Sequence, residues 1–168
     1  MPHSVHLEID SSADVGQVLA AFGDEAYWRA RLATFSNGTA TLDELEVDAA
    51  GTVTVAITLH LLRDRLPKLI TQLRSGDLVM KRGERWSSTE DGRAHGDISA
   101  SMPGAPFSMA GEALIVPEDR GSRLDYSASV DVRIPLVGGK IESYIAGQAR
   151  NEIGAIHRFT GDWIAENG

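Results

Sequence analysis

Three charged side chains fall where the hydrophobic pattern asks for apolar ones. Leu78, Met80, Arg82, Glu84 and Trp86 alternate along one run, so a strand there turns all five to one face. If the apolar members face a core, Arg82 and Glu84 face it too. A bulge at Gly83 would instead turn half the strand round and leave both in water. Glu152 is the third. Counted from Ile141 at roughly 100° per residue, it lies near ~20°, within an arc of about 0–120°. Ile141, Ile145, Ala149, Ile153, Ile156, Phe159 and Trp163 share that arc. A carboxylate among them needs a cation or a proton. Gln148 precedes it by one turn, and Tyr144 stands at the edge of the arc. Arg82, Glu84, Trp86, Tyr144, Gln148, Glu152 and Ile156 become the candidate ligand-binding set if the fold leaves a pocket between this strand and this helix: polar groups for one end of a small molecule, apolar and aromatic ones for its body. The structural alternative is that the charges pair with one another, that the helix end projects past its sheet, and that Trp86 and Tyr144 are ordinary core. Glu112, sharing a face with Leu114, is a weaker candidate.

Other chemistries have little support. There is no cysteine, which removes thiolate ligands, cysteine nucleophiles and disulfides and suits a reducing cytoplasm. No Gly-x-Ser-x-Gly or His-Glu-x-x-His occurs. His3 and His6, three apart on a strand, face opposite ways, and His60, His95 and His157 are scattered; no metal or cofactor is expected. His157 falls outside the apolar arc. The stretch Pro135-Leu-Val-Gly-Gly-Lys-Ile141 looks like a phosphate loop, but position 134 is Ile where that motif needs Gly, and Ile141 offers no hydroxyl for magnesium. Its glycines fit a sharp turn from a strand into a helix, with Glu142 in the first helical turn.

The elements that would position these residues read clearly. Val5, Leu7 and Ile9 alternate in a first strand. Ser11 and Asp14 form a capping pattern for a helix through Val15, Val18, Leu19 and Phe22. After Gly23, Asp24 caps a second short helix with Tyr27 and Trp28. Strands follow over 42–47, 53–61, 78–86, 94–102, 107–116 and 124–134, the last with one dry and one wet face, as in an antiparallel sheet. Residues 66–73 switch to helical spacing, too short to stand alone. Residues 139–165 form one long helix of roughly 40 Å. Gly147, Gly154 and Gly161 recur every seventh residue opposite its dry stripe; they are either a seam for a second helix, as in a homodimer, or simply tolerated.

This order resembles the START-like (SRPBCC, helix-grip) superfamily, which holds polyketide cyclase/dehydrase-like and lipid-transfer proteins. The likeness covers essentially the whole chain, residues 1–168. Asp24-x-x-x-Trp28, the run IPLVGGKIE and the run HRFTGDWI carry it, the last two pointing to a family of unknown function within that superfamily. The resemblance implies a single α+β domain: a curved antiparallel sheet of about six to seven strands wrapped around the long C-terminal helix, with a split helix after strand 1. It also implies a pocket between sheet and helix.

Composition agrees with one domain. The 168 residues are 42% hydrophobic with net charge −8. That charge disfavours nucleic acid. No apolar run suits membrane insertion, and Met1–Glu8 shows neither a basic region nor an apolar h-region, so a cytoplasmic protein is expected. Residues 63–93, at +3, form a basic strip. The leading expectation is a non-catalytic carrier of a small hydrophobic molecule, with 66–75 as a lid. An acid–base enzyme on a polyketide- or lipid-like substrate and an interaction module with a filled core are the alternatives.

Overall fold

The computed structural model describes residues 2–167. Strand β1 (His3–Ser11) leads into two short helices, α1 (Val15–Phe22) and α2 (Glu25–Leu32). Ser11 does not cap α1, because it is still paired with Ser122 in the sheet. Asp14 does: its carboxylate accepts from Gln17 N at 2.8 Å, and the Gln17 side chain accepts from Asp14 N at 2.9 Å. Asp24 caps α2 as expected, accepting from Ala26 N. Trp28 Nε1 donates to Phe22 O at 2.7 Å, satisfying a carbonyl at the end of α1.

Strands β2 (Gly38–Val47), β3 (Val53–Leu61), β4 (Leu78–Ser88), β5 (Ala94–Ser101), β6 (Phe107–Glu118) and β7 (Gly121–Val132) complete one antiparallel sheet in the order β1-β7-β6-β5-β4-β3-β2. Gly83 carries no bulge. It pairs in register with Ala56 and Ser99, so Arg82, Glu84 and Trp86 all keep the inward face. The bulge lies in the edge strand β2, between Leu42 and Glu44. Alternation turns Gly96 of β5 inward, and no side chain fits there: a Cβ would lie 2.6 Å from the Trp86 ring.

Between β3 and β4, residues 66–73 form less helix than their spacing suggests. A 3-10 turn (Arg63–Arg65) precedes the single turn α3 (Lys68–Thr71), which docks through Ile70 and Leu73. Arg63 ties this segment down by donating to the carbonyls of Thr71, Arg74 and Gly76.

The C-terminal helix α4 (Gly138–Asn167) has 30 residues and packs against β1 and β7. The loop before it answers the glycine question. A Cβ on Gly138 would meet Val132 O at 2.5 Å, whereas one on Gly139 would meet open space. Glu142 is buried and accepts from Val132 N at 2.8 Å, fastening the helix to the end of β7. The buried residues of α4 are Gly138, Ile141, Glu142, Ala146, Ala149, Ile153, Gly154, His157, Thr160 and Ile164, which on the same count centre near ~120°, about 60° round from the expected arc. Small and polar residues face the sheet because helix and sheet lie close, and Phe159 and Trp163 are half-buried at the rim. Two of the three periodic glycines serve this approach: Gly154 lies against Ile9 and Gly161 against Ser11, both of β1, while Gly147 faces open space. Among the described residues no helix is long and apolar enough to cross a membrane.

Candidate functional site

Glu84, 3% exposed, is the centre of a buried ion network. Its Oε2 accepts from Arg31 Nη2 at 2.9 Å and Arg82 Nε at 3.2 Å, and its Oε1 accepts from Trp86 Nε1 at 2.9 Å. Arg31 comes from the last turn of α2. Its guanidinium lies 4.4 Å from the centre of the Trp28 ring, a cation–π contact. It also donates to Tyr27 OH, which is 2.6 Å from Thr160 Oγ1, and that hydroxyl donates to Ile156 O. One chain of bonds thus joins α2, β4 and α4. Arg82 Nη1 donates to Glu152 Oε1 at 3.2 Å, with the Glu152 side chain 55% exposed. Two buried cations therefore meet one buried and one half-exposed anion. Burial works against the Glu84 charge, but Arg31, Arg82 and the Trp86 N–H outweigh it and hold the carboxyl below its usual range. Burial likewise works against the Arg31 charge, but Glu84 keeps it firmly protonated.

Beside this network lies a cavity of about 30 Å³ between sheet and helix. That is space for one water-sized group. Arg31, Arg82, Glu84, Trp86, Ile156 and Thr160 line it, together with Tyr126 of β7 and His157 of α4. The Tyr126 hydroxyl and His157 Nε2 are buried with no hydrogen-bond partner among the described residues. Burial pushes the Tyr126 hydroxyl up and the His157 imidazole down, so both are neutral at pH 7.

His157 makes a separable contribution to acid sensitivity. Its folded pKa lies below its ordinary 6.5, so the stability that this confers is complete above pH 6.5 and is lost as pH falls through the lowered folded value. The charged and titratable groups sharing its cavity are Arg31, Arg82, Glu84 and Tyr126. Urea unfolding at successive pH values below 6.5 should show a slope of up to about 1.4 kcal/mol per pH unit from this one group. His157→Leu should flatten that part of the curve, and an unchanged slope would contradict the assignment.

Of the residues singled out by sequence, Arg82, Glu84, Trp86 and Ile156 line the cavity, and Glu152 reaches it only through Arg82. Tyr144 is half-buried and Gln148 exposed, and neither lines it. Glu112 is exposed on the outer face. His157, placed outside the apolar arc by the wheel, is buried on the helix face that meets the sheet. Sequence reasoning also missed Arg31, Tyr126 and Thr160. Tyr126 was visible as a polar tip on the dry face of the last strand; nothing local marked Arg31.

A family model described as "Protein of unknown function (DUF2505)" matches residues 6–164. An uncharacterized protein of Mycobacterium tuberculosis (strain ATCC 25618 / H37Rv), Rv0481c, is 37% identical over 174 residues, covering 99% of each chain. Among solved structures, Ara h 8.0201 aligns with TM-score 0.60 at 9% identity, covering 99% of this chain and 100% of its own. Norcoclaurine synthase from Thalictrum flavum, solved in complex with dopamine and hydroxybenzaldehyde, aligns with TM-score 0.56 at 10% identity, covering 100% and 89%. Identities this low establish a shared helix-grip fold and nothing finer.

Proposed function

This chain belongs to the DUF2505 family, and we propose that it binds a small, largely apolar molecule between the sheet and α4, with Tyr126 and His157 holding the ligand's polar group. The observation that carries this reading is the pair of buried, unpartnered polar atoms on one cavity. Each such orphan costs about 1–3 kcal/mol, a cost that a bound hydroxyl, carbonyl or water removes. The cavity holds only the polar end, so the apolar body needs room made by movement of the apolar side chains that line it, Ile156 of α4 among them. The complex of norcoclaurine synthase with dopamine and hydroxybenzaldehyde gives support by analogy of fold. A cysteine-free chain suits a carrier working in the cytoplasm.

A second reading, acid–base catalysis in the same cavity, has one observation in its favour. His157 is held neutral by burial with Nε2 unpartnered, and in the tautomer protonated on Nδ1 that nitrogen is available as a general base.

Gently purified protein compared by native and denaturing mass spectrometry should release a stoichiometric small molecule. Tyr126→Phe should then weaken retention of that molecule at least tenfold, since one hydrogen bond to a buried group is worth about 1.4 kcal/mol or more, while leaving stability equal or higher. A clean apo mass, together with a Tyr126→Phe protein that behaves identically toward a fluorescent apolar probe, would mean that the cavity holds only water.

A further inference from the structure

The outer face of the sheet, away from α4, carries the same small pattern twice. β1 reads His6-Leu7-Glu8 and β5 reads His95-Gly96-Asp97, so in each a histidine and a carboxylate share the outer face. The register then sets a second carboxylate directly across from the first. Glu8 faces Asp125 of β7, and Asp97 faces Glu112 of β6. Like charges in directly opposed positions repel, and each pair is placed where a shared cation would reverse that repulsion.

The first trio is the better built. His6 Nε2 is 3.6 Å from Asp125 Oδ1 and 3.9 Å from Glu8 Oε1, and the three ligand atoms all lie within 4.8 Å of one another. Zinc bonds of about 2.0–2.2 Å to nitrogen and oxygen put tetrahedral ligands roughly 3.3–3.5 Å apart, so the two His6 distances need shifts of a few tenths of an ångström, and the exposed carboxylates close the rest by rotamer adjustment. The other ring nitrogen, Nδ1, lies 3.0 Å from Ser127 Oγ. A proton on Nδ1 donated to that hydroxyl leaves the Nε2 lone pair toward the carboxylates, the arrangement by which metal-binding histidines are oriented. In the second trio His95 Nε2 is 4.0 Å from Asp97 Oδ1, and Arg85 stands opposite Asp97 in the register as a competing cation. The trough between the trios, about 830 Å³ and lined by His6, Ser127, Glu112 and Asp97, leaves the metal's remaining positions open to solvent.

We propose that His6, Glu8 and Asp125 bind one divalent transition metal of the zinc class, with His95, Asp97 and Glu112 forming a weaker site of the same design. One histidine with two carboxylates suits a borderline ion such as Zn²⁺. The proposal is independent of the cavity.

The test is calorimetric titration of untagged, metal-free full-length protein with zinc chloride. One tighter binding event is expected, abolished in His6→Ala and at least tenfold weaker in Asp125→Asn, with His95→Ala removing only the weaker event. Zinc should raise the melting temperature of the unmodified protein and not that of His6→Ala. The positions are exposed or half-exposed, so the variants are expected to fold, which circular dichroism checks. If His6 is only a protonated partner of its two carboxylates, the protein takes up no zinc, or His6→Ala takes it up equally, and either result overturns the proposal.

Discussion

Replacing Glu84 with leucine should lower the unfolding free energy by about 3–5 kcal/mol, read as a fall in the urea midpoint. The carboxylate is the one buried anion that Arg31 and Arg82 share, and those residues are 7% and 8% exposed. Without it Arg31 keeps only the Tyr27 hydroxyl and the Trp28 ring, while Arg82 keeps Glu152 at the surface. Trp86 Nε1 also loses its acceptor. The cost therefore comes from stranded partners more than from the lost pair itself. That distinction has its own check. Replacing Arg31 and Arg82 with methionine alongside Glu84→Leu should recover most of the loss, because an apolar filling of similar volume removes the charges that had been stranded. The pH dependence must agree in sign. The folded pKa of Glu84 lies below its ordinary 4.5, so its contribution is present above pH 4.5 and is lost as pH falls through the lowered folded value. Glu84→Leu should lack that acid arm while retaining the one that begins at pH 6.5 with His157. A loss under about 1 kcal/mol would mean that both guanidiniums reach water without Glu84, so that the network is not sealed.

The strands were legible because a sheet with one dry face writes its period directly into the sequence. Arg82, Glu84 and Trp86 could be placed on the inward face for that reason alone, and a regular Gly83 kept them there. The helix was legible in length but not in rotation. A wheel weighted by large apolar residues found Phe159 and Trp163, which lie at the rim. The buried face instead includes the small residues Ala146, Ala149, Gly154 and Thr160, to which such a wheel gives little weight. That rotation of about 60° brings His157 in and carries Glu152 and Gln148 out. Arg31 was beyond reach for another reason. It is separated from Glu84 by 53 residues, and its own helix shows no strong apolar stripe to betray a buried charge. The outer trios have the same character: His-x-Glu and His-x-Asp are visible in sequence, but the opposing carboxylates appear only with the strand register.

Trp86→Ala should cost about 3–5 kcal/mol and should turn the small cavity into a larger one. The ring is 3% exposed, lies 4.7 Å from Phe22 centre to centre, and fills the space that Gly96 leaves open. It also borders the cavity that Tyr126 and His157 face, so its removal extends the existing space. Trp86→Phe keeps one aromatic ring in place while deleting the N–H donated to Glu84 and part of the ring volume, so its loss should be smaller than that of Trp86→Ala, about 1–3 kcal/mol. Added indole should restore part of the stability of Trp86→Ala in a concentration-dependent way, because a ligand that binds only the folded state stabilises it by mass action. Rescue would show that the space between sheet and α4 accepts an aromatic body beside a polar network, which is what a carrier requires of it. Absence of rescue, with the full stability loss, would mean that the charged wall draws in water or that the helix closes onto the sheet. The same positions would then be a filled core, and the unpartnered Tyr126 and His157 atoms would be sites for ordered water.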